Sequence, residues 1–152
     1  MAAGELSEQD WRIREEVYRH FVDHGRPPTP AEVARCVGVA EEDARAAYRR
    51  LHAHHALFLE PGFDTIRMAN PLSSVPTAYR VHARGRALWA NCAWDSLGIP
   101  AMLRADARID ATFAHGGEAT TYAVEAGELK AEGGVVHFPL PFRRWYDDLV
   151  HT

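Results

Sequence analysis

The sequence predicts an α+β fold, and three observations carry the prediction. The first seventy residues hold three segments of helical periodicity bounded by capping or breaking residues. A turn-rich stretch, Asn70-Pro71-Leu72-Ser73-Ser74-Val75-Pro76, then marks a change of composition. Beyond residue 107, short apolar runs alternate with glycines, as in a small sheet of hairpins. Two units are expected, 1–70 and 71–152, the second an α+β core.

Ser7 can cap a helix beginning near Glu8, whose apolar stripe of Ile13, Val17, Phe21 and Val22, with Trp11 and Tyr18 alongside, ends at Gly25. Arg26-Pro27-Pro28 breaks it. Thr29-Pro30-Ala31-Glu32 supplies a capping residue, a proline at the first helical position and a glutamate for a capping box, so a second helix should run to about Val37 and stop at Gly38. A third fits Ala40 to about His54, with Ala44, Ala47, Tyr48 and Leu51 inward. Leu57 to Met68 reads as two strands around Pro61-Gly62. Three helices and a hairpin make a three-helix winged helix-turn-helix. After the crossing segment, Thr77 to His82 alternates as a strand. Arg86 to about Leu103 reads as a helix around Cys92 that Pro100 bends or interrupts. Arg108–Phe113, Ala119–Glu125, Glu128–Glu132 and Val135–Leu140 are expected strands, with hairpin turns at Gly116-Gly117, Gly127 and Gly133-Gly134. They form a small mixed or antiparallel sheet packed on helices.

Composition narrows the function classes. With 47% hydrophobic and 25% charged residues, the 152-residue chain is neither disordered nor membrane-like. No apolar run approaches a bilayer span, and Met1-Ala2-Ala3-Gly4-Glu5 is not a signal-peptide start, so the cytoplasm is the expected compartment. Cys36 and Cys92 are then expected as thiols. The net charge is −4, and residues 1–70 carry nine arginines against twelve acids. The third helix, which would read DNA in a winged helix, opens on Glu41, Glu42 and Asp43, which repel phosphate. DNA is therefore not an expected partner, and no DNA-binding residue is assigned.

Cys92 and Asp95 are the candidate site. In Ala90-Asn91-Cys92-Ala93-Trp94-Asp95-Ser96-Leu97-Gly98-Ile99-Pro100-Ala101, a thiol and a carboxyl stand three residues apart, a spacing that places both on one helix face. A soft-metal nucleophile and a proton donor could then meet at one substrate. A lone cysteine on an apolar helix is more often inert packing, and tryptophans such as Trp89 and Trp94 are more often core than pocket wall. His52, His54 and His55 lack the i, i+4 spacing of helical ligand pairs and read as a solvated helix end. His115, His137 and His151 carry no assigned role, and Asp147 and Asp148 are expected on a surface turn.

These segments resemble a known family. Asn70-Pro71-Leu72-Ser73, Val75-Pro76-Thr77 and the Cys92 block are similar to the core segments of the organomercurial (alkylmercury) lyases, whose N-terminal domain the winged helix also resembles. The resemblance implies that Cys92 binds mercury and that Asp95 passes a proton to the departing carbon. It implies a small organomercurial substrate, Hg(II) as bound product, no cofactor, and mercuric reductase as a receiver of Hg(II). The chemistry fits: mercury prefers thiolate, capture releases a proton, and a neutral aspartic acid in an apolar pocket near Trp89 and Trp94 can act as general acid.

One departure is plain. The family uses a second, C-terminal cysteine, and none follows Cys92; Cys36, in the second helix, does not match it. Divergent members resemble Trp145-Tyr146-Asp147-Asp148-Leu149-Val150-His151-Thr152 just before that cysteine, so the chain is expected to stop short of its second sulfur, on an interrupted strand at Leu149-Val150. A small exogenous thiol would then take its place. A winged-helix metal- or thiol-responsive regulator and a divergent lyase fold without lyase activity stand as the alternatives.

Overall fold

The computed structural model describes residues 5–147. Helices α1 (Glu8–His24), α2 (Pro30–Val37) and α3 (Glu41–Ala53) come first, followed by the hairpin β1 (Phe58–Leu59) and β2 (Ile66–Ala69). Then come β3 (Leu72–Ser73), β4 (Tyr79–Ala83), β5 (Arg86–Ala90), α4 (Ala93–Leu103), β6 (Ala107–Thr112), β7 (Ala119–Glu125), β8 (Glu128–Lys130) and a 3-10 turn at Phe142–Asp147.

The helix ends follow from local chemistry. Ser7 accepts from the amide of Asp10, whose carboxylate accepts in return from the Ser7 amide, and Thr29 and Glu32 repeat this reciprocal cap on α2. Gly25 closes α1 in the left-handed region at φ 71°, where a side chain would be strained. Asp10, fully buried, also holds the Arg50 guanidinium of α3 at 2.7 Å. Burial alone would raise this carboxyl, but the bonds from Arg50 and Ser7 outweigh it and hold it below the ordinary range. Asp10→Ala removes the cap and the ion pair together; the expected loss is about 2–3 kcal/mol, read from the urea unfolding midpoint.

All eight strands form one antiparallel sheet in the order β1-β2-β3-β5-β4-β6-β7-β8. The helical hairpin unit is thus joined to the rest through the short strand β3, inside the stretch expected to be only a crossing segment. Leu72 pairs with both Ala69 and Ala90. A continuous core runs from Ile13, Val17 and Phe21 of α1 through Leu51, Ile66 and Leu72 to Leu88, Ile99 and Ile109. Helix α4 packs on β4, β5 and β6, and α1 reaches β5. Gly98 brings α4 close to the chain entering β3: a Cβ there would stand 3.2 Å from the Pro71 side chain.

Several expectations are corrected. Arg86–Leu103 is not one helix: Leu88 and Ala90 alternate inward with Ala87 and Trp89, the period of a strand, and the helix begins only at Ala93. Pro100 lies buried inside α4 and the helix continues past it to Leu103. Val135–Leu140 forms no strand and Gly133-Gly134 no hairpin turn. Pro139 lies inside that run and Pro141 follows it, and neither can donate to a ladder. The strand from Glu128 ends at Lys130. Among the described residues no helix is long and apolar enough to cross a membrane. Met1–Gly4, Asp148, the expected interrupted strand at Leu149-Val150 and His151 lie outside the described residues.

Candidate active site

Cys92 occupies the joint between β5 and α4. Its backbone is extended, at φ −148° and ψ 179°, and it is the N-cap of α4, its sulfur accepting from the Asp95 amide at 3.5 Å. The expectation of two residues on one helix face is corrected in detail, since Cys92 precedes the helix. The spacing still brings them together, because a capping side chain folds over the third helical residue. Thiol and carboxyl interact side chain to side chain.

The surroundings fix this pair. Thr77 donates to the Ala90 carbonyl at 2.6 Å, clamping the end of β5 just before the thiol. Buried Ser96 donates to the Ala93 carbonyl, leaving Tyr122 to donate to the Ser96 hydroxyl, both at 2.6 Å. Asn91 donates from Nδ2 to Asn70 Oδ1 at 3.0 Å and to Asp95 Oδ2 at 3.2 Å. Its own Oδ1 is buried without a hydrogen-bond partner among the described residues. Asn70 is held in turn by Tyr18, which donates to its carbonyl at 2.7 Å.

Burial sets the protonation states. It pushes the Asp95 carboxyl above the ordinary carboxylate range, with the bonds from Asn91 and Cys92 pulling part of the way back. It also pushes the Cys92 thiol up, against the Asp95 and Trp94 amides, which favour the thiolate. The pair is therefore a thiol beside a carboxyl, each of which holds its proton more tightly than it would in water. In a Cys36→Ser background, alkylation of Cys92 by iodoacetamide should rise about tenfold per pH unit and keep rising past about pH 8.5, where an ordinary thiol levels off.

The pair opens into a cavity of about 370 Å³ whose walls include Arg67, Trp94, Phe138 and Trp145. Trp94 meets Phe138 edge to face at 6.0 Å, and Phe138 stacks on Trp145 at 5.2 Å. The run expected to be a strand is instead an aromatic strap along the cavity wall, with Trp145 donating to the Leu140 carbonyl and Tyr146 stacked on His55 at 4.2 Å. Of the two expected pocket tryptophans, Trp94 lines the cavity. Trp89 does not: it pairs across the ladder with Arg80, whose guanidinium lies 4.8 Å over its ring. Cys36 stays apart, exposed on α2. His52 accepts from the Leu59 amide.

A family model described as alkylmercury lyase matches residues 72–151. The chain belongs to the alkylmercury lyase family. The match opens at β3 and takes in Cys92, Asp95 and the aromatic strap, while Arg67, Met68 and Asn70 join the same cavity from outside it. Among solved structures, the chain is similar to the mercury-bound form of MerB2, with a TM-score of 0.70 and 25% identity over 84% of this chain and 62% of that one. It therefore spans less than two thirds of the length of that lyase-family neighbour. No curated protein matches. Sequence reasoning missed Arg67, Asn91, Phe138 and Trp145 as lining this cavity, because none carries a local signal that points there.

Proposed function

We propose that this family member cleaves carbon–mercury bonds, with Cys92 as the mercury-capturing thiol and Asp95 as the proton donor. The observation that carries the reading is a thiol beside a half-buried carboxyl of raised proton affinity in an aromatic-walled cavity. In the first step the Cys92 Sγ–Hg bond forms, the mercurial's outgoing ligand leaves, and the thiol proton goes with it. In the second, Asp95 gives its proton to the carbon as the C–Hg electron pair departs toward it, releasing a hydrocarbon. The resulting carboxylate is received by the Nδ2 donor of Asn91. A small exogenous thiol supplies the second sulfur to Hg(II) and returns a proton to Asp95. Bound Hg(II) would then pass to a thiol-bearing acceptor such as mercuric reductase.

The first three helices and the β1-β2 hairpin support reading residues 1–70 as a winged-helix unit put to structural use. Tyr18 and Asn70 brace the Asp95 side of the site from it. Arg45, Arg49 and Arg50 of its third helix are all paired with carboxylates, which suits a unit that does not grip phosphate. We place the protein in the cytoplasm, where its thiols stay reduced. The test is benzene release from phenylmercury by purified protein in excess 2-mercaptoethanol. Catalytic release supports the lyase. Mercurial bound at Cys92 with no benzene above the thiol-only background would sink it and favour a soft-metal binder.

A further inference from the structure

From the placement of Arg67 we infer that the cavity contains an anion subsite, which selects mercurials presented with a carboxylate. The inference rests on the lyase reading above and names the class of substrate. Arg67 lies on β2, its side chain only 23% exposed, and it lines the cavity shared by Cys92 and Asp95. Its one ion pair among the described residues is with Glu60, made through Nε at 3.4 Å. Its two Nη groups form no hydrogen bond there, so two of the three guanidinium nitrogens are open. Glu60 is itself half-exposed, and a loose pair of this kind is weak and screened. The Arg67 carbonyl accepts from both the amide and the hydroxyl of Ser74, at 3.1 and 2.9 Å, which fixes the strand beneath the side chain.

The other titratable groups on the wall are Asp95, Cys92, Tyr79 and His137. Arg67 is the one guanidinium among the described residues that line the cavity, and no carboxylate on that wall is paired with it. A guanidinium in that setting favours a planar, bidentate anion over a neutral group. Two sources could present it: a carboxylate on the organic arm, or a carboxylate on the small thiol that delivers the mercurial. In either case the Cys92 Sγ–Hg bond forms as the Hg–S bond to the small thiol breaks, and the Cys92 proton passes to the departing sulfur.

The experiment follows capture by stopped-flow quenching of tryptophan fluorescence, since Trp94 and Trp145 line the cavity. One arm compares 4-carboxyphenylmercury with phenylmercury, both as 2-mercaptoethanol adducts. The other compares phenylmercury delivered by 3-mercaptopropionate with phenylmercury delivered by 2-mercaptoethanol. In at least one arm the carboxylated form should be captured about tenfold faster or more. That ratio should fall toward unity in Arg67→Gln and be partly kept in Arg67→Lys. The arm that responds identifies the source. Taking a ratio within one variant cancels any general loss of folded protein. Ratios unchanged by Arg67→Gln in both arms overturn the subsite. Capture requires no bond cleavage, so a protein that captures without releasing hydrocarbon sinks the lyase reading and leaves this test standing. A wild-type chain that captures neither mercurial overturns both.

Discussion

Asp95→Asn should leave mercurial capture intact and cut hydrocarbon release by about a hundredfold or more, the range expected for loss of a general acid. Cys92→Ser should abolish capture itself, because an alcohol oxygen is a poor ligand for a soft metal. Capture is read as one equivalent of mercurial retained after gel filtration, in a Cys36→Ser background, and release as benzene in the headspace. If Asp95→Asn released benzene at the wild-type rate, the proton would have to come from elsewhere. The same substitution should change stability in the opposite direction. Burial raises the folded-state pKa of Asp95, so the folded chain binds this proton more tightly than the unfolded chain. The ionised carboxylate therefore weighs against folding above the unfolded value of about 3.9, and its effect grows until pH passes the folded-state value. The side-chain amide of the variant carries no such charge, so Asp95→Asn should unfold at a higher temperature than wild type at pH 7, and the gap should close as pH falls toward 4.

Ile99→Ala should cost about 2–5 kcal/mol, the largest effect expected of a single truncation near the site. Ile99 is fully buried one turn beyond Asp95, on the face of α4 that packs against the sheet. For a chain of this size such a loss lowers the melting temperature by about 10 °C, measurable by circular dichroism. Benzene release should fall as well at temperatures where the variant is still folded, because the proton donor then rides on a loosened helix. A change below about 1 kcal/mol would mean that α4 does not pack as described.

The N-terminal helices were legible because their ends are written in local chemistry. Ser7, Gly25, Thr29-Pro30 and Gly38 each cap or break a helix where the structure does. Around Cys92 the same reasoning failed by half. Ala87-Leu88-Trp89-Ala90 is apolar at every position, and periodicity alone does not separate a strand from a helix in so short a run. Cysteine is also not among the usual capping residues, so the start of α4 carried no conventional sign. The strap misled for the opposite reason: Val135, Val136 and Phe138 have strand-like side chains, but pairing needs a full set of donors, which Pro139 and Pro141 do not supply. The rest of the site is a matter of distance along the chain. Arg67 lies 25 positions before Cys92 and Trp145 lies 53 after it, and only the folded sheet and strap bring them to one cavity.

The joint that carries Cys92 has a consequence for how the protein handles traffic. On one side of the thiol, β5 is locked into ladders with two neighbouring strands; on the other, α4 begins at the next residue. The sulfur stands on a fixed post between two rigid girders, with no length of loop to swing it. On the function proposed above, mercury would reach and leave it by changing partners where it stands, one ligand displacing another, and not by a hinge carrying the thiol from an open to a shut position. Throughput would then be set by how quickly small molecules enter and leave the cavity.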